Sequence, residues 1–418
     1  MVFLHVSRPD LVRELSLCVS LDLGKSSYMK ATHQPLFGEG ILKSNGHAWA
    51  HQRKLIAPEF FPDKVKGMVD QMVESAQALV IKSWQERLDR SESNALDLMI
   101  DDDNRAYSAD VISRTCFGSS YEKGKHIFEM IRELQKMVSK KPKHQLAEMA
   151  GLGFLISPSS SSAAAWRLSR RVRELILDLV GDHECGGGGD NLLGALLRSA
   201  GGGAAAEDFV VDNCKNIYFA GYESTAVTAA WCLMLLALHP EWQRRVRHEL
   251  NIPETLTDPI SQKLLLQLTM VIQETLRLYP AGAVISRQAL RDLTIGDELQ
   301  LPKGVNIYIP VSTLHLDEHI WGAAAAEFDP SRFAAGAPPP PHYAYLPFGA
   351  GARTCLGQAF AMAELKVLLA LVVSRFELAI SPEYVHSPAL RLIVEPEHGV
   401  RLVIRNVGPR CGSWAGFD

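Results

Sequence analysis

From Asp208 to His239 the sequence runs without a proline, "DFVVDNCKNIYFAGYESTAVTAAWCLMLLALH", and its second half is apolar on every face. At 1.5 Å per residue an unbroken helix of that length rises about 48 Å. Either the chain folds around such an element or a bilayer receives it. The stretch from Ile217 to Leu238 is long enough to span a membrane, yet it carries Glu223, Ser224, Thr225 and Thr228 in its first half. An acid inside hydrocarbon is costly. The segment therefore reads as a helix buried in a large protein core, and its carboxylate becomes a candidate for chemistry.

The rest of the pattern is that of a mainly α protein with small β-sheets. "PEWQRRVRHEL" restarts a helix at Pro240, with proline in the first turn. Helical spacing of apolar residues recurs in "FPDKVKGMVDQMVESAQALVIKSWQERL", "HIFEMIRELQKMV", "WRLSRRVRELILDLV" and "QLTMVIQETLRLYP", the last ended by Pro280. "DLTIGDELQLPKGVNIYIPV" alternates, with turns at Gly296-Asp297 and at Pro302-Lys303-Gly304, and predicts a small sheet of short strands. The tracts Ser157 to Ala165, Gly186 to Gly189, Gly201 to Ala206, Ala323 to Ala326 and Pro338 to Pro341 read as surface loops. With 47% hydrophobic residues the 418-residue chain can bury one large core, and residues 1–418 are expected to form a single domain.

Charge and cysteine usage narrow the function. A formal charge of −4 gives no long-range attraction for nucleic acid, which is set aside as a partner. The seven cysteines (Cys18, Cys116, Cys185, Cys214, Cys232, Cys355 and Cys411) are odd in number, scattered and without a CxxC pair. That spacing argues against a disulfide framework and a cysteine zinc site, and for a reducing compartment. The start, "MVFLHVSRPDLVREL", has neither the signal-peptide pattern nor a membrane anchor.

One cysteine stands apart. In "YLPFGAGARTCLGQAF", Cys355 lies where a glycine loop gives way to an apolar helical run. A thiolate on haem iron pushes electron density onto the metal and favours O–O cleavage, and nearby N–H groups tune its potential. Such a site needs a loop that can approach a porphyrin closely. Gly349, Gly351 and Gly357 allow the approach, Phe348 can shield the sulfur, and Arg353 is placed to meet a propionate. The pattern Phe348-Gly349-x-Gly351-x-Arg353-x-Cys355-x-Gly357 closely resembles the haem-binding loop of the cytochrome P450 family, with Cys355 as the metal ligand.

Two further signatures follow the family's order. Glu274 and Arg277 in "ETLR" share a helix face, and "FDPSRF" resembles the segment whose arginine, here Arg332, joins them in a buried network behind the cysteine loop. "AGYEST" resembles the oxygen-activation segment, in which the small Ala220 and Gly221 let the helix pass close over the haem and an acid-hydroxyl pair relays protons. Glu223 is then the acid. Ser224 holds the position where the family usually has threonine, and Thr225 follows at once, so the hydroxyl is either Ser224 or Thr225. Trp49 and Arg53 in "WAHQR", and Arg287 in "AVISRQ", match residues that reach the haem propionates in many members.

The resemblance implies a monooxygenase that carries haem b and inserts one oxygen atom from O₂ into a small lipophilic substrate. Electrons would come from NADPH through NADPH-cytochrome P450 reductase. "YFAGYESTAVTAAWCLMLLALHPEW" and "FGEGILKSNGHAWAHQRKLIAPEFF" resemble the plant branch that includes gibberellin oxidases. Members of that branch sit on the endoplasmic reticulum membrane, facing the cytosol. Their N-terminal membrane helix, hinge, first helix and first strand have no counterpart before "LHVSRPDLVREL", so an unpaired sheet edge is expected. Two alternatives stand beside this reading. A haem protein without catalysis is one, and the other is a zinc peptidase built on "HLDEH", His315 to His319, which fits the H-x-x-E-H pattern with Glu318 as base.

Overall fold

The computed structural model describes residues 2–26, 33–119, 121–139, 160–185, 189–201, 203–250, 265–296, 299–337 and 343–407. Counting helices of eight residues or more, the chain forms α1 (Pro9–Leu17), α2 (Gly46–Ile56), α3 (Val69–Ala76), α4 (Lys82–Asp89), α5 (Asp101–Phe117) and α6 (Tyr121–Ser139). It continues through α7 (Ser160–Cys185), α8 (Leu192–Ala200), α9 (Ala204–Leu238), α10 (Pro240–Leu250), α11 (Leu266–Leu278) and α12 (Gln358–Arg375). The strands are β1 (Phe3–His5), β2 (Leu23–Gly24), β3 (Leu96–Met99), β4 (Val284–Ala289), β5 (Leu293–Ile295), β6 (Leu299–Leu301) and β7 (Asn306–Pro310). Four more close the chain: β8 (Phe376–Ile380), β9 (Pro388–Arg391), β10 (Ile393–Pro396) and β11 (Arg401–Asn406).

The 35-residue helix α9 is the axis of the molecule. Its most apolar stretch is 83% buried inside the fold, as expected of a core helix. Along one flank it packs on α5, and along another on α12. The approach to α5 is close because Gly221 has no side chain: a Cβ there would sit 2.4 Å from Ile112 Cδ1. Tyr218 and Trp231 of α9 are fully buried, and burying a large apolar side chain contributes roughly 1.5–3 kcal/mol. Tyr218 stacks on Phe117 of α5 at 4.1 Å between ring centres.

A four-stranded sheet in the order β1-β7-β4-β2 flanks this helical mass. β1 runs parallel to β7, with Leu4 opposite Ile307, and β4 runs antiparallel to β7, with Ile285 opposite Ile309. Val6, Val12, Leu15, Leu23, Ile307 and Ile309 make a second, smaller core beneath it. β1 lies at the edge, with Phe3 exposed. The remaining strands form β3-β11-β8 and the β9-β10 hairpin.

Several expectations need correction. Ser160 to Ala165 are not loop but the first turns of α7, and Ala165 is buried. Alanine's helix propensity outweighs the low complexity of that tract. Likewise Ala204 to Ala206 begin α9, while Gly201 and Gly203 stay outside it. The expected single sheet of short strands divides, since β5 and β6 form a ribbon of their own while β7 joins the larger sheet. The Ser157 to Ser159 part of the first tract, Gly186 to Gly188, Gly202, Asp297, Pro338 to Pro341 and Cys411 lie outside the described residues.

Candidate functional site

The cysteine loop is held by its own backbone. Cys355 N–H donates to Phe348 O at 2.8 Å, Gly349 N–H to Leu346 O at 3.0 Å and Thr354 N–H to Gly351 O at 3.0 Å. Gly349 and Gly351 take φ of 69° and 71°, the left-handed region that glycine enters freely. Gly357 does not: its φ is −87°, where any residue fits, and its role is different. It caps α12, its N–H is directed at the Cys355 sulfur, and a Cβ added there meets nothing within 4 Å. Half-buried Phe348 packs against the main core.

Gly351 has a second constraint. A Cβ built on it would lie 1.9 Å from the carbonyl oxygen of Ser16, the backbone of α1. Left-handed strain alone costs roughly 1–2 kcal/mol for a side chain, and here α1 must also move. Gly351→Ala is expected to lower haem content per chain and the melting temperature together, as read by pigment absorbance and thermal melt. Unchanged values in both would refute the close approach.

Cys355 is exposed to solvent, although protein groups surround it closely enough to shift its titration. Burial raises its pKa, opposed by the Gly357 N–H and by the Arg53 charge. Cys116 and Cys232 are pushed up to about 12 by burial, and Cys214 higher still, each of them buried in the core. Of these four, Cys355 is the one whose anion a cation, Arg53, favours.

Beside the thiol stands a cluster of cations. Arg53, on α2, donates to Thr354 O at 3.0 Å, next to the cysteine. Arg353 donates to Ser44 O at 3.2 Å and to Asn45 Oδ1 at 3.2 Å, and its guanidinium lies 4.1 Å from the Trp49 ring centre. Trp49, one turn before Arg53, is buried between the two arginines, with Arg53 at 5.8 Å. Arg287, on β4, and Lys25, just after β2, complete the group. Burial lowers the pKa of all four, with mutual repulsion added for Arg353 and Lys25. Arg287 and Arg353 fall to about 10 and Lys25 to about 7. None of the four is ion-paired to a carboxylate among the described residues. A cleft lined by residues of the segment Leu15 to Leu23 and by Trp49, Ile285 and Ala352 opens on two of them, Arg287 and Arg353. Like charges held together without a counter-ion fit a dianionic ligand, and the two propionates of haem supply that charge.

A short strap ties this cluster to α9. The N–H groups of Glu39, Ile41 and Leu42 donate to the side chains of Asp212, Asn213 and Asn216 at 2.8, 3.1 and 2.8 Å. Asn216 Nδ2 returns a bond to Phe37 O at 2.7 Å. A few residues on, Ser44 and Asn45 hold Arg353, and Asn45 Oδ1 also accepts from Lys25 N–H at 2.7 Å. Lys25 and Asn45 were not legible in the sequence, because no motif joins them to the cysteine loop.

Behind the loop, Glu274 and Arg277 are both fully buried. Arg277 Nε and Nη2 each donate to the carboxylate at 2.7 Å. The guanidinium is then saturated by the carbonyls of His315, Ala325 and Glu327 at 2.8, 2.6 and 3.0 Å. Arg332 faces Glu274 as an ion pair at 3.5 Å, without a hydrogen bond from its Nε, and anchors instead on the carbonyls of Trp321 and Ala324. The expected triad is therefore together, with one tight pair and one looser member. Leu346 N–H, at the start of the cysteine loop, donates to His315 Nε2 at 2.8 Å and links the network to the loop.

That same contact removes the zinc reading. His315 is fully buried, and its Nδ1 is engaged by Arg277 O at 3.1 Å, so both ring nitrogens are spent on backbone groups. Burial pushes its pKa down to about 4 and keeps it neutral. His319 is exposed on a separate short helix, Glu318–Trp321, after a break at Leu316 and Asp317.

On α9, Ala220, Gly221 and Ser224 are half-buried between the buried Phe219, Tyr222, Glu223 and Thr225, and so form one open face. Ser224 Oγ donates to Ala220 O at 2.6 Å. Thr225 points into the core instead, at 3% exposure. Gly221 also lies against α5, where a Cβ would sit 2.4 Å from Ile112 Cδ1, so helix packing by itself requires a small residue there. Glu223, 1% exposed, accepts from Arg105 Nη2 and Nε at 3.2 and 3.3 Å through Oε1, while Oε2 has no partner. Arg105, on α5, was also missed by sequence reasoning.

Comparison with known proteins agrees with this geometry. A family model described as cytochrome P450 matches residues 3–402. The chain is 73% identical over 434 residues to cytochrome P450 714B1 of Oryza sativa subsp. japonica, covering 100% of this chain and 80% of that protein. It is 63% identical over 416 residues to cytochrome P450 714B3 of Zea mays, covering 98% and 77% respectively. Among solved structures, the cytochrome P450DA heme domain matches with a TM-score of 0.79 at 24% identity, covering 97% of this chain and 88% of that one, which is a likeness of fold.

Proposed function

The chain belongs to the cytochrome P450 family, and on that premise we propose that Cys355 is the residue that would bind the iron of its haem. The protein is a monooxygenase that uses haem b, O₂ and electrons supplied by a reductase. When bound, the haem supplies the activation of O₂ from which one oxygen atom enters the substrate and the other leaves as water. The observation that carries the assignment of residues is the pairing of the Gly357 N–H and Arg53 around the sulfur with three further basic side chains, Lys25, Arg287 and Arg353, that have no carboxylate partner among the described residues.

In this reading Trp49, Arg53, Lys25, Arg287 and Arg353 orient the cofactor by its propionates, and Phe348 shields the sulfur from water. Glu274, Arg277 and Arg332 fix the loop from behind. Ser224 presents the relay hydroxyl on the open face, and Glu223, with Oε2 unpartnered, is the acid beside it. The electron donor is NADPH-cytochrome P450 reductase at the cytosolic face of the endoplasmic reticulum, and the substrate is a lipophilic diterpenoid of the gibberellin type. The support is the identity to plant proteins named cytochrome P450 714 together with the segments around α2 and α9.

The test is reconstitution of the haem-loaded chain with reductase and NADPH in lipid vesicles, with gibberellin-type acids and a panel of other lipophiles. We expect NADPH-dependent products heavier by one oxygen. A normal thiolate spectrum of the reduced protein with carbon monoxide, but no product from any compound, would favour a catalytically silent haem protein. Turnover confined to other lipophiles would overturn the diterpenoid assignment alone.

A further inference from the structure

The second half of α9 carries an aromatic group that the cysteine site does not use. Trp231 is fully buried, and the ring of Tyr279, the residue that ends α11, stacks on it at 4.3 Å between ring centres and 12° between planes. Trp231 Nε1 donates to Val394 O at 3.1 Å, which fixes the indole. On its outer side the Tyr279 hydroxyl meets His386 Nε2 at 3.2 Å, and His386 Nδ1 meets Tyr384 Oη at 2.8 Å. Tyr384 in turn donates to the sulfur of Met234, three positions after Trp231 on α9.

The sulfur decides which way the protons point. A thioether can only accept, so the Tyr384 proton is spent on Met234. Tyr384 Oη then accepts from His386, and Nδ1 carries the hydrogen. A neutral imidazole has one donor and one acceptor nitrogen, which leaves the Nε2 lone pair for the Tyr279 hydroxyl. Tyr279 therefore donates to a base, and that base is exposed while Trp231 behind the phenol is at 0% exposure. Trp231 lies seven positions beyond Ser224 on the same side of α9, two turns and about 10 Å along the axis. Packing accounts for the stack, but not for the direction of the hydrogen bonds. Burial raises the Tyr279 pKa, so the phenol holds its proton, and the proton must leave whenever an electron does.

We propose that Tyr279 is a redox-active phenol, the exit of a path by which oxidising equivalents from unproductive O₂ activation leave the protein through Trp231. The oxidant takes one electron from Trp231, and Trp231 regains it from Tyr279 as the Tyr279 O–H proton passes to His386 Nε2. The products are a neutral tyrosyl radical, an imidazolium and the oxidant reduced by one electron. A soluble thiolate returns an electron to the radical and becomes a thiyl radical, while the proton moves back from His386. The source of the oxidant rests on the monooxygenase reading, whereas the chemistry of Tyr279 and His386 does not.

Photo-oxidation of the haem-loaded protein tests the pair without turnover. A flash-generated ruthenium(III) complex in solution is the one-electron oxidant, and electron paramagnetic resonance of rapidly frozen samples reads the radical. We expect a tyrosyl signal, narrowed when ring-deuterated tyrosine is incorporated, that falls at least threefold in Tyr279→Phe and in His386→Ala. Imidazole added to the buffer should restore it in His386→Ala, which a loss of packing would not allow. A signal of parent size in either variant, or a fall in His386→Ala that imidazole leaves unchanged, overturns the pair. In protein reconstituted with reductase, NADPH and the panel of lipophiles, Tyr279→Phe should lose haem absorbance at least threefold faster than the parent for equal NADPH consumed. Equal rates of loss overturn the protective path. No NADPH consumption by the parent with any compound overturns that path together with the monooxygenase reading, and the photo-oxidation result then stands apart from both.

Discussion

Cys355→Ala will purify as a folded protein that holds no haem and forms no product. The sulfur is no part of the hydrophobic core, since Cys355 is exposed. The loop is closed by backbone bonds that alanine preserves, the Cys355 N–H to Phe348 O bond among them. The melting temperature of the haem-free protein should therefore stay within a few degrees of the haem-free parent. Cys116, Cys214 and Cys232 cannot substitute, because they are buried in the core at high pKa. Haem content by pigment assay should fall close to zero, and product formation below detection. A variant that retains stoichiometric haem with the parent's Soret band would refute the axial assignment, and with it the roles given to Arg53 and Gly357.

Arg277→Ala is expected to be the most destabilising single change in the molecule. It removes two bonds to Glu274 and three to the carbonyls of His315, Ala325 and Glu327. The greater cost is the carboxylate left behind at 0% exposure. Breaking a buried pair costs roughly 3–5 kcal/mol, a large part of the 5–15 kcal/mol that typically holds a protein folded. Arg332, at 3.5 Å and without a hydrogen bond to Glu274 through its Nε, cannot take over. Arg277→Lys should recover little, since an ammonium lacks the planar fork that meets carboxylate and carbonyls together. Removing both charges, as in Glu274→Leu with Arg277→Met, should be less harmful than Arg277→Ala alone. Denaturant titration of the haem-free chains measures the order, and a loss under about 1 kcal/mol for Arg277→Ala would show that the pair is not what braces the loop.

Much of the site was readable because its signals are short in sequence. Phe348 to Gly357 is a ten-residue motif, and the spacing of Glu274 and Arg277 puts them on one helix face. What could not be read depends on which elements meet in space. Glu223 finds Arg105 across 118 positions, and Arg353 finds Asn45 across 308. No local pattern encodes such partners. Gly221 shows the same limit, since only the packing of α9 on α5 reveals that Ile112 needs the space. "HLDEH" shows the converse, a good local match cancelled by the backbone groups of residues 277 and 346 that occupy His315. In the fold, apolar periodicity located the long helices, while the alanine tracts misled because low complexity and helix propensity point in opposite directions at Ser160 to Ala165.

The strap from Phe37 to Asn45 has a mechanical meaning. Its one end hangs from three side chains within two turns of α9, and its other end grips the Arg353 guanidinium. A peptide so short and so fully tethered cannot stretch, so a tilt in the first half of the long helix becomes a displacement of that positive charge. The roof and the wall of the chamber thereby move as parts of one linkage.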